Sequence, residues 1–389
     1  MVKINGIIAK IMISVLAIVM LAGCGSSAAT QNKDAAGEST EAAADMENTE
    51  AEGQAETDDA SADTVGDTLD IETVKPNKDK DNESQNAEAE ALNEAEEEKS
   101  TDNTVDLIFF MGQSNMSGCG GDAALAPSVK EAAGMEYRSV SDPTRLYPIT
   151  EPFGVNENRI GGLMEYPDCK KGSLVSAFVN EYYELTGRKV IAVSASRGET
   201  TILDFTQESV MADLKQRYDY SRSYLQNNGY TIGHTYIVWL QGESDAIEGT
   251  SADCYKTKMD DFIRPFFIDG LEKLFFITPG RTIDYKYLYK DIIEVQKQMS
   301  RQSSYYALAT SVLGQVSTEY MTDMYHYNQH VLNLVGIEAA KSVAYYTLNN
   351  TEKIVYDYYE DAYFIPDGVN ENDQPHDEPV DLTNINEMY

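Results

Sequence analysis

The chain has 389 residues and a net charge of −35, and its 26 Tyr, 11 Phe and 1 Trp all lie beyond residue 100. Residues 31–100 contain 23 acidic residues and five lysines. A segment this acidic, without large apolar side chains, is predicted to be disordered, which leaves one folded domain after it. That domain also has an excess of acidic residues, so neither nucleic acid nor an anionic membrane surface is expected as a partner.

The N-terminus has the features of a secretory signal. Lys3 and Lys10 precede an apolar run, Ile11–Leu21, which is about 16 Å long as a helix and too short to cross a bilayer. A Leu-Ala-Gly tripeptide then leads into Cys24, and this resembles the lipobox of bacterial lipoproteins. The resemblance implies a signal peptide over 1–23, lipidation of Cys24 and an extracytoplasmic, lipid-anchored protein. The alternative is an ordinary cleaved signal with an incidental cysteine.

Three further segments follow from composition. Residues 24–104 are predicted to be an acidic disordered linker with a root-mean-square span of roughly 50 Å. Residues 105–350 are predicted to be the folded domain. Residues 351–389 form an acidic tail that we expect to pack in part, over 353–366, and to be disordered beyond that point.

Five short apolar runs in the folded domain predict buried strands. They are mostly β-branched or aromatic and cover Val105–Phe110, Val190–Ser194, Thr235–Leu240, Leu274–Thr278 and Tyr305–Thr310. Runs that are apolar on both faces are typical of a parallel sheet covered on two sides. Helical periodicity lies between or after them, at Ser173–Thr186, Asp253–Phe267, Asp284–Gln302 and Asn328–Leu348. The alternation predicts a three-layer α/β/α fold with a parallel five-stranded sheet.

Polar residues suited to catalysis or ligand binding follow the predicted strands. In such folds ligands bind beyond the carboxyl ends of the strands. Segment 112–116 follows the first run, 195–200 the second and 241–245 the third, whereas 323–326 precedes the last helix. We therefore expect these four segments to meet at one edge of the sheet.

Their residue types point to acyl transfer. A serine hydroxyl needs a base to remove its proton, and Ser114 and His326 are the candidate pair. Asp323, three residues before His326, is suited to orient the imidazole. An oxyanion also needs hydrogen-bond donors, for which the backbone N–H groups of Ser114 and Gly198 and the side-chain amide of Gln241 are candidates.

These blocks resemble the SGNH hydrolases, in the sialate O-acetylesterase and acetylxylan esterase branch known as carbohydrate esterase family six. The matching blocks are Gln113-Ser114-Asn115, Gln241-Gly242-Glu243 and the late Asp323-x-x-His326. The resemblance implies a flavodoxin-like fold and a serine esterase, without metal or cofactor, that removes O-acetyl groups from polysaccharide or sialic acid. It assigns Ser114 as nucleophile, His326 as base, Asp323 as its orienting carboxylate, and Gly198 and Gln241 as oxyanion donors.

One block departs from the family pattern. Arg197-Gly198-Glu199-Thr200 stands where the family usually has Gly-Gly-Thr, and Phe205 takes the place of a tryptophan. We expect this departure to affect substrate choice. Arg197 is a candidate to pair with a sugar carboxylate, although the acidic domain favours a neutral xylan-like or mannan-like acetate.

Three other side chains are candidates to support the site or to contact substrate: Gln113, Asn115 and Glu243. For Glu243 we expect a hydrogen bond that holds the nucleophile turn. An alternative, in which Glu243 and Asp245 bind a metal, lacks a histidine at ligand spacing.

Several alternatives remain open at this point. His330 competes with His326 as the base. Cys119, Cys169 and Cys254 can form at most one pair among themselves, and the sequence does not indicate which. The whole chain is alternatively a glycan-binding or solute-binding surface lipoprotein that keeps the fold without turnover.

Overall fold

The computed structural model describes residues 103–166 and 168–388. The predictions for the signal peptide, for Cys24 and for the linker up to residue 102 lie outside the described residues. Among the described helices, none combines the length and the apolar character that a transmembrane span requires.

A central sheet organises the folded region. In the described residues its seven strands are β1 (Thr104–Gly112), β2 (Gly134–Tyr137), β3 (Leu146–Pro148), β4 (Lys189–Ser196), β5 (Thr231–Leu240), β6 (Lys273–Ile277) and β7 (Tyr306–Thr310). Their spatial order is β3-β2-β4-β1-β5-β6-β7. All neighbouring strands run parallel except β2 and β3, which are antiparallel.

The helices cover both faces of this sheet. They are α1 (Ser114–Ser117), α2 (Val175–Thr186), α3 (Ile202–Phe205), α4 (Glu208–Asn227), α5 (Glu243–Glu248), α6 (Ala252–Ile268), α7 (Lys290–Gln302), α8 (Gln329–Asn349) and α9 (Ile385–Met388), with 3-10 turns at Val312–Gln315, Thr318–Tyr320, Glu371–Asp373 and Leu382–Asn384. Alternate residues of β1 belong to two different hydrophobic cores. Ile108 and Phe110 pack with α2 and α8, whereas Leu107 and Phe109 pack with α4, α6 and α7. The predicted three-layer α/β/α architecture is therefore confirmed.

The five predicted strands are β4, β1, β5, β6 and β7, and they form the parallel part of the sheet in the flavodoxin-like order 2-1-3-4-5. The predicted number of strands was too low, because β2 and β3 extend the sheet beyond β4. With four and three residues, these two strands are too short to give a readable apolar pattern.

The predicted helices are present with shifted ends. Helix α2 ends at Gly187, which adopts the left-handed conformation expected of a C-terminal glycine. Helix α7 begins six residues later than predicted, at Lys290, after an irregular loop. Asn328 caps α8, since its side chain accepts a hydrogen bond from the N–H of Val331. Helix α4 was not predicted.

The acidic tail packs further than expected. It forms a hairpin of β8 (Val355–Asp357) and β9 (Ala362–Phe364) and then returns to the domain. The prediction of disorder beyond residue 366 was wrong, because Ile385 is completely buried in the core that contains α8. A few apolar anchors are enough to hold a mostly polar segment on an existing core.

Candidate active site

Ser114 lies directly after the central strand. Gly112 ends β1 with a φ of 145°, and a Cβ at that position would come within 2.0 Å of the carbonyl oxygen of Leu240. Only glycine fits this close approach. The chain then turns into α1, of which Ser114 is the first residue, with 8 % of its surface exposed. The local sequence thus places a serine at the carboxyl edge of the sheet.

Asp323 and His326 lie together on the loop before α8. The Nδ1 atom of His326 is 2.8 Å from Oδ2 of Asp323, and Oδ1 accepts hydrogen bonds from the N–H groups of Tyr325 and His326. Burial alone would raise the pKa of Asp323, but these hydrogen bonds outweigh it and hold the pKa below the ordinary value. The carboxylate is therefore ionised, and it leaves Nε2 of the imidazole for proton transfer.

Asn115 joins this loop to the serine turn. Its amide donates to the carbonyl oxygen of Tyr325 at 3.2 Å, and its oxygen accepts from the N–H of Tyr327 at 3.4 Å. The residue after Ser114 is thus bound to both neighbours of His326. Within the described residues, no hydrogen bond joins the Ser114 hydroxyl to the His326 ring itself. Such contacts are commonly long in the absence of substrate.

Glu243 lies behind the serine turn. Its Oε1 accepts a second hydrogen bond from the Asn115 amide, at 2.9 Å, and Oε2 is buried without a partner among the described residues. Burial raises the pKa of Glu243 above its ordinary value, although the hydrogen bond from Asn115 and the electrostatic interaction with His326 act to lower it. Gln113 binds the same segment, because its side-chain oxygen Oε1 accepts from the N–H groups of Gly242 and Ser244 at 3.4 and 3.3 Å.

The N–H of Gly198 is occupied by a carboxylate that the sequence analysis missed. Oε2 of Glu165 accepts from it at 2.8 Å, and Glu165 is buried. A Cβ placed on Gly198 would lie 3.4 Å from Cβ of Ser114, so this N–H is next to the candidate nucleophile. No local pattern marks Glu165, which lies 33 residues before its partner.

Gln241 does not have a free donor. It is completely buried, and its amide donates to the carbonyl oxygen of Thr200 at 2.8 Å and to Oδ2 of Asp245. Its oxygen accepts from the hydroxyl of Tyr255. This geometry contradicts the prediction of Gln241 as an oxyanion donor, because both amide hydrogens already bind protein oxygens.

A disulfide bond fixes the segment that carries Glu165. Cys119, just after α1, pairs with Cys169, which answers the question of pairing between these two residues. The Glu165 carboxylate lies within 4.8 Å of both sulfur atoms. The disulfide therefore joins the loop after the candidate nucleophile to the loop that carries Glu165, whose carboxylate accepts the hydrogen bond from the Gly198 N–H.

An open cavity of about 370 Å³ lies beside Gly198. Its lining includes Met164, Tyr166, Arg197 and Gln207. The Nε atom of Arg197 is buried and has no hydrogen-bond partner among the described residues. Because Arg197 lines the cavity, its guanidinium is suited to an anionic or carbonyl oxygen of a ligand.

His330, the alternative base, lies in the first turn of α8. The carboxylate of Asp323 pairs with His326 instead. The three polar segments that follow strands and the 323–326 loop before α8 thus come together at one edge, through Asn115, Glu243 and Gly198. Fold and arrangement define a three-layer α/β protein with a candidate site at the carboxyl edge of its central sheet.

Comparison with known proteins identifies the family. The model of the family described as carbohydrate esterase, sialic acid-specific acetylesterase, matches residues 104–345, and the chain belongs to this family. No curated protein matches the sequence significantly.

Two solved structures are distantly similar. A protein from Arabidopsis thaliana is 17 % identical over 64 % of this chain and 98 % of its own, with a TM-score of 0.44. A carbohydrate acetylesterase from Xanthomonas citri is 15 % identical over 64 % of this chain and 58 % of its own, with a TM-score of 0.40. These values are too low to carry a conclusion about this chain.

Proposed function

We propose that the chain is a serine esterase that removes O-acetyl groups from carbohydrate through an acyl-serine intermediate. One observation carries the proposal. The imidazole of His326 is held by Asp323 at 2.8 Å on a loop that Asn115, the residue next to Ser114, binds on both sides of the histidine. The base and the hydroxyl are thus held on two segments that are hydrogen-bonded to each other, and contacts of this kind commonly tighten when substrate binds.

In the first half-reaction, Nε2 of His326 takes the proton of the Ser114 hydroxyl, and the serine oxygen attacks the ester carbonyl carbon. Asp323 stabilises the imidazolium that forms. His326 then gives its proton to the sugar oxygen as the carbon–oxygen bond to the sugar breaks, and the acetyl group stays on Ser114. The backbone N–H groups of Ser114 and Gly198 stabilise the oxyanion, which requires that Glu165 release Gly198.

In the second half-reaction, water replaces the sugar. His326 takes a proton from the water, and the resulting nucleophile attacks the acetyl carbonyl carbon. The bond to the serine oxygen breaks, His326 returns its proton to that oxygen, and acetate leaves. The enzyme is restored without a metal or a redox step.

The substrate is proposed to be an acetylated sugar that carries a carboxylate. The guanidinium-bearing side chain of Arg197, which lines a cavity next to Gly198, supports this choice over a neutral xylan. The family description, sialic acid-specific acetylesterase, agrees with an acidic sugar. This proposal reverses the preference for neutral glycans that net charge alone suggested.

We also propose that the protein is anchored outside the cytoplasm through lipid on Cys24. A disulfide bond such as Cys119–Cys169 persists in oxidising compartments, which supports this location. Incorporation of labelled palmitate into the wild-type chain, and its loss in Cys24→Ser, tests the anchor. Equal labelling of both proteins would contradict it.

The esterase proposal is tested by Ser114→Ala against Ser117→Ala. Ser117 is on the same short helix, and its hydroxyl binds Ser196 rather than the candidate site. We expect Ser114→Ala to lose roughly 10⁴-fold or more of its acetate release from an aryl acetate, whereas Ser117→Ala stays active. Equal activity of both variants would contradict the proposal. A wild-type protein that binds glycan but neither releases acetate nor reacts with a fluorophosphonate would instead support the non-catalytic binding lipoprotein.

A further inference from the structure

The C-terminal strap, defined here as residues 353–388, lies beyond the segment that matches the family. It contains the β8–β9 hairpin and the last short helix. Its buried apolar residues include Ile354, Val355, Phe364 and Ile385, so it is part of the folded domain. Some of its polar contacts reach the two ends of the loop that carries Asp323 and His326, and others bind Lys297 and Ser311.

The first attachment is made by Tyr359. Its hydroxyl donates to the carbonyl oxygen of Pro279 at 3.1 Å and also contacts that of Gly280. The next residue, Arg281, donates its N–H to the hydroxyl of Tyr327 at 2.8 Å. Tyr327 follows His326 directly. Tyr359 therefore binds segment 279–281, and this segment in turn binds the side chain of Tyr327, the residue next to the candidate base.

Burial, with smaller contributions from Tyr327, Tyr289 and Glu243, raises the pKa of Tyr359 well above the ordinary value. Its hydroxyl consequently remains protonated and acts as a donor.

The second attachment holds the two ends of the same loop. The hydroxyl of Tyr320 donates to the carbonyl oxygen of Thr383 at 3.0 Å. The amide of Asn328 donates to Oδ1 of Asn386 at 3.2 Å. Tyr320 and Asn328 themselves pair, since the N–H of Asn328 donates to the carbonyl oxygen of Tyr320 at 2.8 Å. The strap thus contacts both ends of the loop, and it also contacts segment 279–281, which binds the side chain of Tyr327.

The strap has its own anchors away from this loop. Lys297 and Asp357 form an ion pair at 2.6 Å, with 3 % of each side chain exposed. The N–H of Tyr358 donates to the hydroxyl of Ser311 at 2.9 Å. Because these contacts do not involve Tyr359 or Thr383, loss of a single hydroxyl at either attachment leaves the strap in place.

We propose that the C-terminal strap positions the loop bearing Asp323 and His326, with Tyr359 as the principal positioning residue. The inference rests on the proposed esterase function. More than half of the Asp323 side chain is exposed, so the tip of the loop has little packing of its own. Catalytic groups displaced by about 1 Å lose roughly 10²-fold in rate, which makes an external support consequential.

The test compares Tyr359→Phe with Tyr356→Phe. Tyr356 is on the same hairpin, and its hydroxyl binds Asp361 within the hairpin. With an aryl acetate we expect kcat to fall about tenfold in Tyr359→Phe at an unchanged KM. The rate of fluorophosphonate labelling of Ser114 should fall in parallel. Tyr356→Phe should match the wild type, and both variants should keep the wild-type melting temperature within a few degrees.

A second variant tests the other attachment. Tyr320→Phe removes the hydrogen bond to Thr383, and it should lower kcat and the labelling rate in the same direction. The proposal is overturned if both tyrosine variants retain wild-type kcat. It is also overturned if kcat falls only in proportion to the fraction of unfolded protein. An inactive Ser114→Ala together with normal Tyr359→Phe and Tyr320→Phe variants would refute the positioning role of the strap alone, whereas an active Ser114→Ala would refute the esterase function.

Discussion

The carboxylate of Glu165 accepts a hydrogen bond of 2.8 Å from the backbone N–H of Gly198. This N–H lies beside Ser114, where a tetrahedral intermediate would place its negative oxygen. A carboxylate oxygen and an oxyanion are alike in charge and in their demand for donors. Glu165 therefore competes with the transition state for the same hydrogen bond.

Replacement of Glu165 by Gln should relieve this competition. The amide keeps the shape of the side chain but binds the N–H more weakly and does not repel the oxyanion. We predict that kcat/KM for an aryl acetate rises about threefold to tenfold. Glu199→Gln, an exposed residue of the same turn, is the control and should have no such effect. A lower kcat/KM in Glu165→Gln would mean that the carboxylate supports catalysis.

Glu243 is predicted to support the base through its charge and through Asn115. Glu243→Gln keeps an oxygen for the Asn115 amide but removes the carboxyl group that interacts electrostatically with His326. We expect kcat to fall about tenfold with little change in KM, as measured by steady-state kinetics. Glu248→Gln, on the same helix, should behave as wild type. An unchanged kcat in Glu243→Gln would remove Glu243 from the site.

Asp245 should make stability depend on pH. Burial raises its pKa to about 6, although Gln241 and Ile202 donate hydrogen bonds to it. A carboxyl group with a raised folded pKa contributes stability that is complete below about pH 4 and is lost as pH rises through about 6. Asp245→Asn cannot ionise and lacks this loss.

The free energy of unfolding of Asp245→Asn, relative to wild type, should therefore rise by roughly 2 kcal/mol between pH 4 and pH 7.5. Denaturant titrations at both values measure the difference. Asp253→Asn, an exposed residue on α6, should show no pH-dependent difference. If the stability of Asp245→Asn relative to wild type did not change with pH either, this result would contradict the raised pKa of Asp245.

Arg197 should determine the preference for acidic sugars. Arg197→Ala should lower kcat/KM for an O-acetylated sialic acid at least about tenfold more than for a neutral aryl acetate. The reason is that a hydrogen bond to a charged group contributes about 1.5–3 kcal/mol. Equal losses on both substrates would place the sugar carboxylate elsewhere.

Much of the fold follows from sequence because the five long strands are apolar on both faces. Helix α4 was missed, since Asp213 and Arg217 read as surface residues although they form a buried ion pair at 3.0 Å. Pairing of charges across one turn is not visible in an apolar periodicity. Strands β2 and β3 were missed because they are short.

For the candidate site, local spacing foresees the contact of Asp323 with His326, which lie one turn apart. Local spacing does not predict which polar side chains are buried or which partners distant in the sequence they bind. Gln241 has the right chemistry for an oxyanion donor, but the interior consumes both of its donors. Glu165 reaches Gly198 from a loop that the Cys119–Cys169 bond joins to the segment after α1, and neither the course of this loop nor the pairing can be derived from composition.

The identity of the acylated residue tests the central claim most directly. Wild-type protein is mixed with an aryl acetate, quenched in acid within milliseconds and digested, and the acetyl group is located by mass spectrometry. The account predicts one acetyl group on Ser114, which disappears as turnover ends and is absent from Ser114→Ala. Acetate release without any acetylated Ser114, or with the acetyl group on another side chain, would contradict it.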